Sequence, residues 1–221
     1  MLGAIFASCA GGPGKQFQAS MENSQTAAAP GPYVIIDYKN KAAGGTIPEW
    51  VNRWLRGGSS GVETLVAYRD RYAFVARSEG NNFNALSQWN EGFSPDLDFP
   101  RLAAARIEDR FTSPLSFPDN DYGSFFEALI RAASDASWTG AEREDDFWIY
   151  RKFLSPGTTG DDQNPQASNE SWEFMILLTI DKSLFASQLD AVFKDIKPSP
   201  LPSKSQIAAA NRVKDRFYDG F

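Results

Sequence analysis

Two segments of this chain read as buried strands, 146–154 (DFWIYRKFL) and 171–180 (SWEFMILLTI), and they follow one another in sequence. The stretch between them, 155–170, holds no large apolar residue, so it is a loop of a length that suits a functional or mobile segment. Helical stripes lie on both sides. Phe83, Leu86 and Trp89 recur over 82–91, and Phe99, Ala103, Ile107 and Phe111 over 99–112, after Asp98. Tyr122, Phe126, Leu129, Ile130 and Ala133 do so over 121–138, and Phe185, Leu189, Val192, Phe193 and Ile196 over 182–196, capped by Asp181. Strands and helices mixed in this way, without regular βαβ alternation, predict a single α+β domain. Its antiparallel sheet is packed by several amphipathic helices.

The remaining elements are shorter. Tyr33-Val34-Ile35-Ile36-Asp37-Tyr38 reads as the first strand. Thr46-Ile47-Pro48-Glu49 has the form of a capping box with proline in the first turn, opening a short helix with Trp50, Val51, Trp54 and Leu55 on one face that stops at Gly57-Gly58. Segments 62–68 and 72–78 read as strands joined at Arg69-Asp70-Arg71, with one continuous helix as the alternative. Prolines at 198, 200 and 202 set off a last helix over 205–219.

Ahead of the domain, composition changes. Residues 10–32 are small, polar and punctuated by Pro and Gly, which predicts a disordered tether reaching about 25–30 Å root-mean-square. Before it, Leu2 to Ser8 run apolar and then small into Cys9, the single cysteine of the chain. That run reads as the end of a bacterial lipoprotein signal, and Cys9 as the point of lipid attachment. Only eight residues precede Cys9 and none is charged, whereas a secretory signal has a cationic start and an apolar stretch of about 7–15 residues. Either Met1 is an internal start or the likeness is chance. The organisation expected is therefore 1–9 signal remnant and lipidation site, 10–32 tether and 33–221 folded domain.

Composition then removes whole classes of chemistry. There is no histidine, so Ser-His-Asp and Cys-His mechanisms are ruled out, and haem or zinc would lose their commonest ligand. No cofactor or metal site is expected. Net charge is −6 with no block of Lys and Arg, which argues against nucleic acid as a partner. No apolar run reaches the ~18 residues of a spanning helix, so membrane contact is expected through the anchor alone.

Few motifs compete with a structural explanation. Gly11-Gly12-Pro13-Gly14-Lys15 lacks the first Gly and the final Ser or Thr of a phosphate-binding loop. Asp119-Asn120-Asp121 starts like a calcium loop, but Gly123 and Ile130 stand at ligand positions, so the aspartates read as helix caps. Asn169-Glu170-Ser171 fits a glycosylation acceptor without meaning in a bacterial lipoprotein. Glu142, Glu144, Asp145 and Asp146 are the densest carboxylate cluster and read as a solvated turn before a strand. Glu144 and Asp146 are nonetheless the candidates if the protein hydrolyses glycans by acid–base chemistry. Most tryptophans fall in the apolar phase of their elements and are assigned to the core. Trp138, at a helix end beside Thr139-Gly140, is the aromatic expected to be exposed for contact.

Several motifs together resemble a family. Ile47-Pro48-Glu49-Trp50-Val51, Phe74-Val75-Ala76 leading to Gly80-Asn81-Asn82, Leu102-Ala103-Ala104-Ala105-Arg106-Ile107 and Leu178-Thr179-Ile180-Asp181-Lys182 occur in that order. Over about residues 33–196 they are similar to hypothetical spirochaetal lipoproteins, and more distantly to small outer-membrane lipoproteins of the Lpp-twenty type. The resemblance implies a compact α+β fold, a lipidated N-terminal cysteine and an envelope location, at the outer membrane or the periplasmic face of the inner membrane. It supplies no catalytic residues. The expected function is a membrane-anchored binding or assembly module with an envelope protein or a glycan as partner. A glycan hydrolase is the alternative.

Overall fold

A computed structural model describes residues 33–112, 122–154 and 170–195, together with isolated helical positions at 204, 207–208 and 211. At 110–112, 122–126 and 195 it describes the backbone only. Cys9, the tether, the Asp119 motif and the 155–169 loop lie outside the described residues, as do most of the last helix and the side chains of Phe111, Tyr122 and Phe126.

The elements run β1 (Tyr33–Tyr38), α1 (Glu49–Glu63), β2 (Arg71–Gly80), α2 (Phe83–Gly92), α3 (Pro95–Thr112), α4 (Tyr122–Asp135), β3 (Glu142–Phe153), β4 (Glu170–Asp181) and α5 (Lys182–Asp195). The strands form one antiparallel sheet in the order β1-β3-β4-β2. This is the α+β class expected. β4 is buried along nearly its whole length because it is covered on both faces. Met175 and Leu177 pack with Trp50, Val51, Trp54 and Val62 of α1, whereas Ile176, Leu178 and Ile180 pack under the later helices with Phe99, Leu129 and Phe185. Burying such side chains is worth about 1.5–3 kcal/mol each, so this double-sided strand is the centre of stability.

Several elements depart from the expected pattern. α1 does not stop at Gly57-Gly58. The glycines bend it, with Gly58 at φ 60°, ψ −153°, a region open essentially to glycine alone, and the helix resumes to bury Val62 and Glu63. Residues 62–68 are consequently no strand but the end of α1 and a 3-10 turn at Val66–Tyr68. No capping box forms at Thr46. The helix starts after Pro48, whose carbonyl accepts from the Val51 and Asn52 N–H groups at 3.1 and 3.2 Å. α3 starts at Pro95, and Asp98 does not cap a helix ahead of it but reaches back to accept the Ser94 N–H at 3.0 Å. The Asp181 cap is present, its carboxylate accepting the Leu184 N–H at 2.9 Å.

The outer edge of β2 is shut by side chains. Glu63 accepts the Ala73 N–H at 2.8 Å and Arg106 donates to the Ala73 carbonyl at 2.6 Å. The two side chains meet at 2.7 Å, so they clasp α1 to α3 around the edge. The guanidinium also lies 5.0 and 4.9 Å from the Tyr72 and Phe74 ring centroids, which offsets part of the cost of burying it.

Candidate functional site

Helices α2 to α5 gather over β2 and β4, and the apolar cluster beneath them takes no residue from β1 or β3. Among the described residues, that face of the β1–β3 half of the sheet meets a helix only at its margin, where Phe83 and Asn90 of α2 reach β3. β3 presents Trp148 and Tyr150 there, alternating with Phe147 and Ile149, which pack toward α1. On β1, Val34 is 47 % and Ile36 37 % exposed, Ile35 and Tyr38 pack on the α1 side, and a bulge between Ile35 and Asp37 interrupts the alternation.

The partly buried aromatics form a continuous shelf. Tyr150 stacks on Trp172 of β4 at 4.3 Å, and Trp148 meets Trp172 edge-on at 5.0 Å. Phe83, the first residue of α2, closes one side against Trp172 at 4.8 Å and Trp148 at 5.5 Å. Such pairs hold one another rigid at about 0.5–1.5 kcal/mol each beyond their buried area. The Tyr150 hydroxyl donates to Glu170 at 2.5 Å, and this bond to a carboxylate raises the tyrosine pKa above its ordinary value.

Charges frame the shelf. Asp146 takes Lys39 at 2.5 Å and Arg143 at 3.2 Å, and Arg143 also donates to the Asn90 carbonyl of α2 at 3.0 Å. Burial of Asp146 opposes its ionisation, but the bonds and charges of Lys39 and Arg143 outweigh this and hold its carboxyl below the usual aspartate value. On the reverse face of the same end, Arg151 is buried between Glu173 and Glu79, each at 2.6 Å. Its guanidinium lies over the rings of Tyr33 at 5.2 Å and Phe153 at 4.9 Å. Burial is the main cause of a raised Tyr33 pKa, with Arg151 pulling the other way.

The carboxylate cluster is not a solvated turn. It forms the first part of β3, with a bulge between Arg143 and Asp145. Glu144 accepts the Thr179 hydroxyl at 2.5 Å and lies 3.8 Å from Arg71, and Asp145 accepts the Trp50 indole N–H at 2.8 Å on the α1 side. Asp146 turns to the opposite side, toward α2. The sheet therefore separates Glu144 from Asp146, and the two do not share a cleft.

Trp138 is not the exposed aromatic expected. It is 6 % exposed, stacked on Phe185 at 4.8 Å, and its indole N–H donates to the Ala133 carbonyl at 2.8 Å. α4 ends at Asp135, so Trp138 lies past the helix and folds back into the core. Above it, a shallow depression of about 300 Å³ between α4 and α5 offers Asp135, Ser137 and Gln188, and Gln188 is already bonded to Thr139. Among the described residues no group of three His, Cys, Asp or Glu could hold a metal ion, and no helix is long and apolar enough to cross a membrane.

Comparison with protein-family models, with curated proteins and with solved structures gives no match to this chain. The site is thus argued from its own geometry. Sequence reasoning placed Trp148 and Trp172 in the core. The signal it passed over is that β3 carries large apolar residues at both parities, which demands a cover on both faces.

Proposed function

We propose that the protein is a lipid-anchored bacterial envelope protein that acts by association, as a binding or assembly module. One observation carries the associative part: among the described residues, the aromatic and aliphatic face of β1 and β3 meets only α2 at its margin, while the rest of the sheet is closed on both sides. Apolar patches of this kind mark interaction surfaces. The glycan-hydrolase alternative needs a second carboxylate about 5–9.5 Å away across a cleft from Glu144 or Asp146, whereas Glu144 meets Thr179 and Arg71 and Asp146 meets Lys39 and Arg143.

The anchoring part is supported by the run into Cys9, the composition of 10–32 and the resemblance to spirochaetal lipoproteins. Two or more acyl chains on Cys9 would hold the body stably, at about 0.8 kcal/mol per buried methylene, where one chain would bind reversibly. The test is metabolic labelling with a palmitate analogue in a bacterium producing the chain behind its native upstream sequence. Wild type is expected to be labelled and Cys9→Ala to be blank. Equal labelling of both would remove the anchor.

A further inference from the structure

The aromatic shelf ends in a step at Tyr150. β3 lies between β4 and β1, so Tyr150 has Trp172 opposite it on one side and Asp37 on the other. Trp172 covers one face of its ring, at an interplanar angle of 22°. Among the described residues no ring lies against the other face. Asp37 is short and turned back, its carboxylate accepting the Tyr38 N–H at 2.8 Å. Val34, exposed and opposite Lys152, continues the low floor. An aromatic wall thus stands beside short side chains, along the direction of the strands.

Polar groups close both ends of the step. At one end stands Asp146 with Lys39 and Arg143, their side chains 28–32 % exposed. At the other, Glu170 accepts the Tyr150 hydroxyl and lies 3.7 Å from Lys152. Asp146 and Lys152 are six residues apart on β3, or about 20 Å. With Asp37 counted, three carboxylates match three cations, so the face carries no net charge in a chain of net charge −6.

We propose that this step binds an uncharged oligosaccharide lying along β1. The inference rests on the associative reading above and names the chemistry of the partner. A sugar ring has an apolar C–H side that packs on an aromatic face, and hydroxyls that donate and accept at once. The step offers that pairing: an aromatic wall, with carboxylates to accept and Lys39, Arg143 and Lys152 to donate. An anionic ligand would have to pull these cations from their carboxylates. A wholly apolar ligand would take half-exposed ion pairs out of water with nothing in return. A peptide strand is disfavoured at this edge, because the bulge between Ile35 and Asp37 breaks the row of N–H and C=O groups that it would need.

The test uses the full chain with Cys9→Ala, which keeps binding separate from lipid attachment. The protein is screened on a printed array of defined uncharged and anionic oligosaccharides. It is then titrated with cellohexaose, maltohexaose and chitohexaose to about 5 mM, with tryptophan fluorescence as the readout. At least one uncharged oligosaccharide is expected to bind. Tyr150→Ala is expected to weaken that binding about tenfold, and Tyr150→Phe, which keeps the ring, by less than about twofold. Val34→Arg, at an exposed position beside the wall, is expected to weaken it about fivefold or more with an unchanged unfolding midpoint. Leu97→Lys, on the 79 % exposed α3 surface, is expected to change nothing. No saccharide bound, or anionic ones alone, would overturn the proposal. So would binding indifferent to both Tyr150→Ala and Val34→Arg. If saccharides fail while solubilised envelope still protects the β1 and β3 amides from exchange, the ligand is wrong and the associative reading stands. If both measurements are negative, that reading falls as well.

Discussion

Asp146 binds two cations at once, and its pKa records the balance. Burial alone would raise it, and Lys39 and Arg143 bring it below the ordinary 3.8. A carboxylate with a depressed folded value stabilises fully above its unfolded pKa, and that contribution drains away as pH falls through the lower folded value. Urea midpoints followed from about pH 7 down to pH 2 should therefore fall more steeply below pH 3.8 in wild type than in Asp146→Asn. Identical slopes would mean that the Lys39 and Arg143 contacts carry no ionic weight. The sequence did reveal this carboxylate, though as part of a solvated cluster, because its partners come from elsewhere. Lys39 follows β1 and lies 107 residues away in the chain, beyond any local pattern. Trp138 departs from its expected exposure for the same reason, since Phe185, the ring it stacks on, comes from the distant α5.

Elements defined by a long apolar period were legible, and those decided by a neighbour were not. β1, α2, β4 and α5 fall where their patterns put them, because burial of one stripe or of both strand faces leaves a local mark. β3 begins at Glu142, earlier than its apolar run suggests, since Glu142 finds Arg71 at 2.5 Å and Glu144 finds Thr179 across the sheet. α1 outlasts Gly57-Gly58 because Val62 and Glu63 gain burial beyond the bend. Glu63 then does what no sequence pattern announces: with Arg106 it seals the β2 edge. Replacing one partner strands a buried charge, so Glu63→Ala is expected to cost about 3–5 kcal/mol in urea unfolding. A cost under about 1 kcal/mol would show that the clasp is incidental.

The whole molecule is asymmetric in cover. Among the described residues, four helices protect one half of a sheet face and α1 protects the other face, and β1 and the outer side of β3 meet only the margin of α2. The order and period of the apolar runs predict the α+β class and composition excludes histidine chemistry, but an uncovered face is a property of layer placement and has no signature in a single sequence. The proposed anchor at Cys9 and the proposed association through the face of β1 and β3 combine into one account, a membrane-held body that meets its partner on that face. Hydrogen exchange at backbone amides tests it most directly. The Ala73 amide, held by Glu63, is expected to exchange slowly at every protein concentration. The β1 and β3 amides are expected to slow when solubilised envelope of a producing bacterium is added and the face is covered. Exchange in β1 and β3 that is the same with and without the envelope would contradict the account.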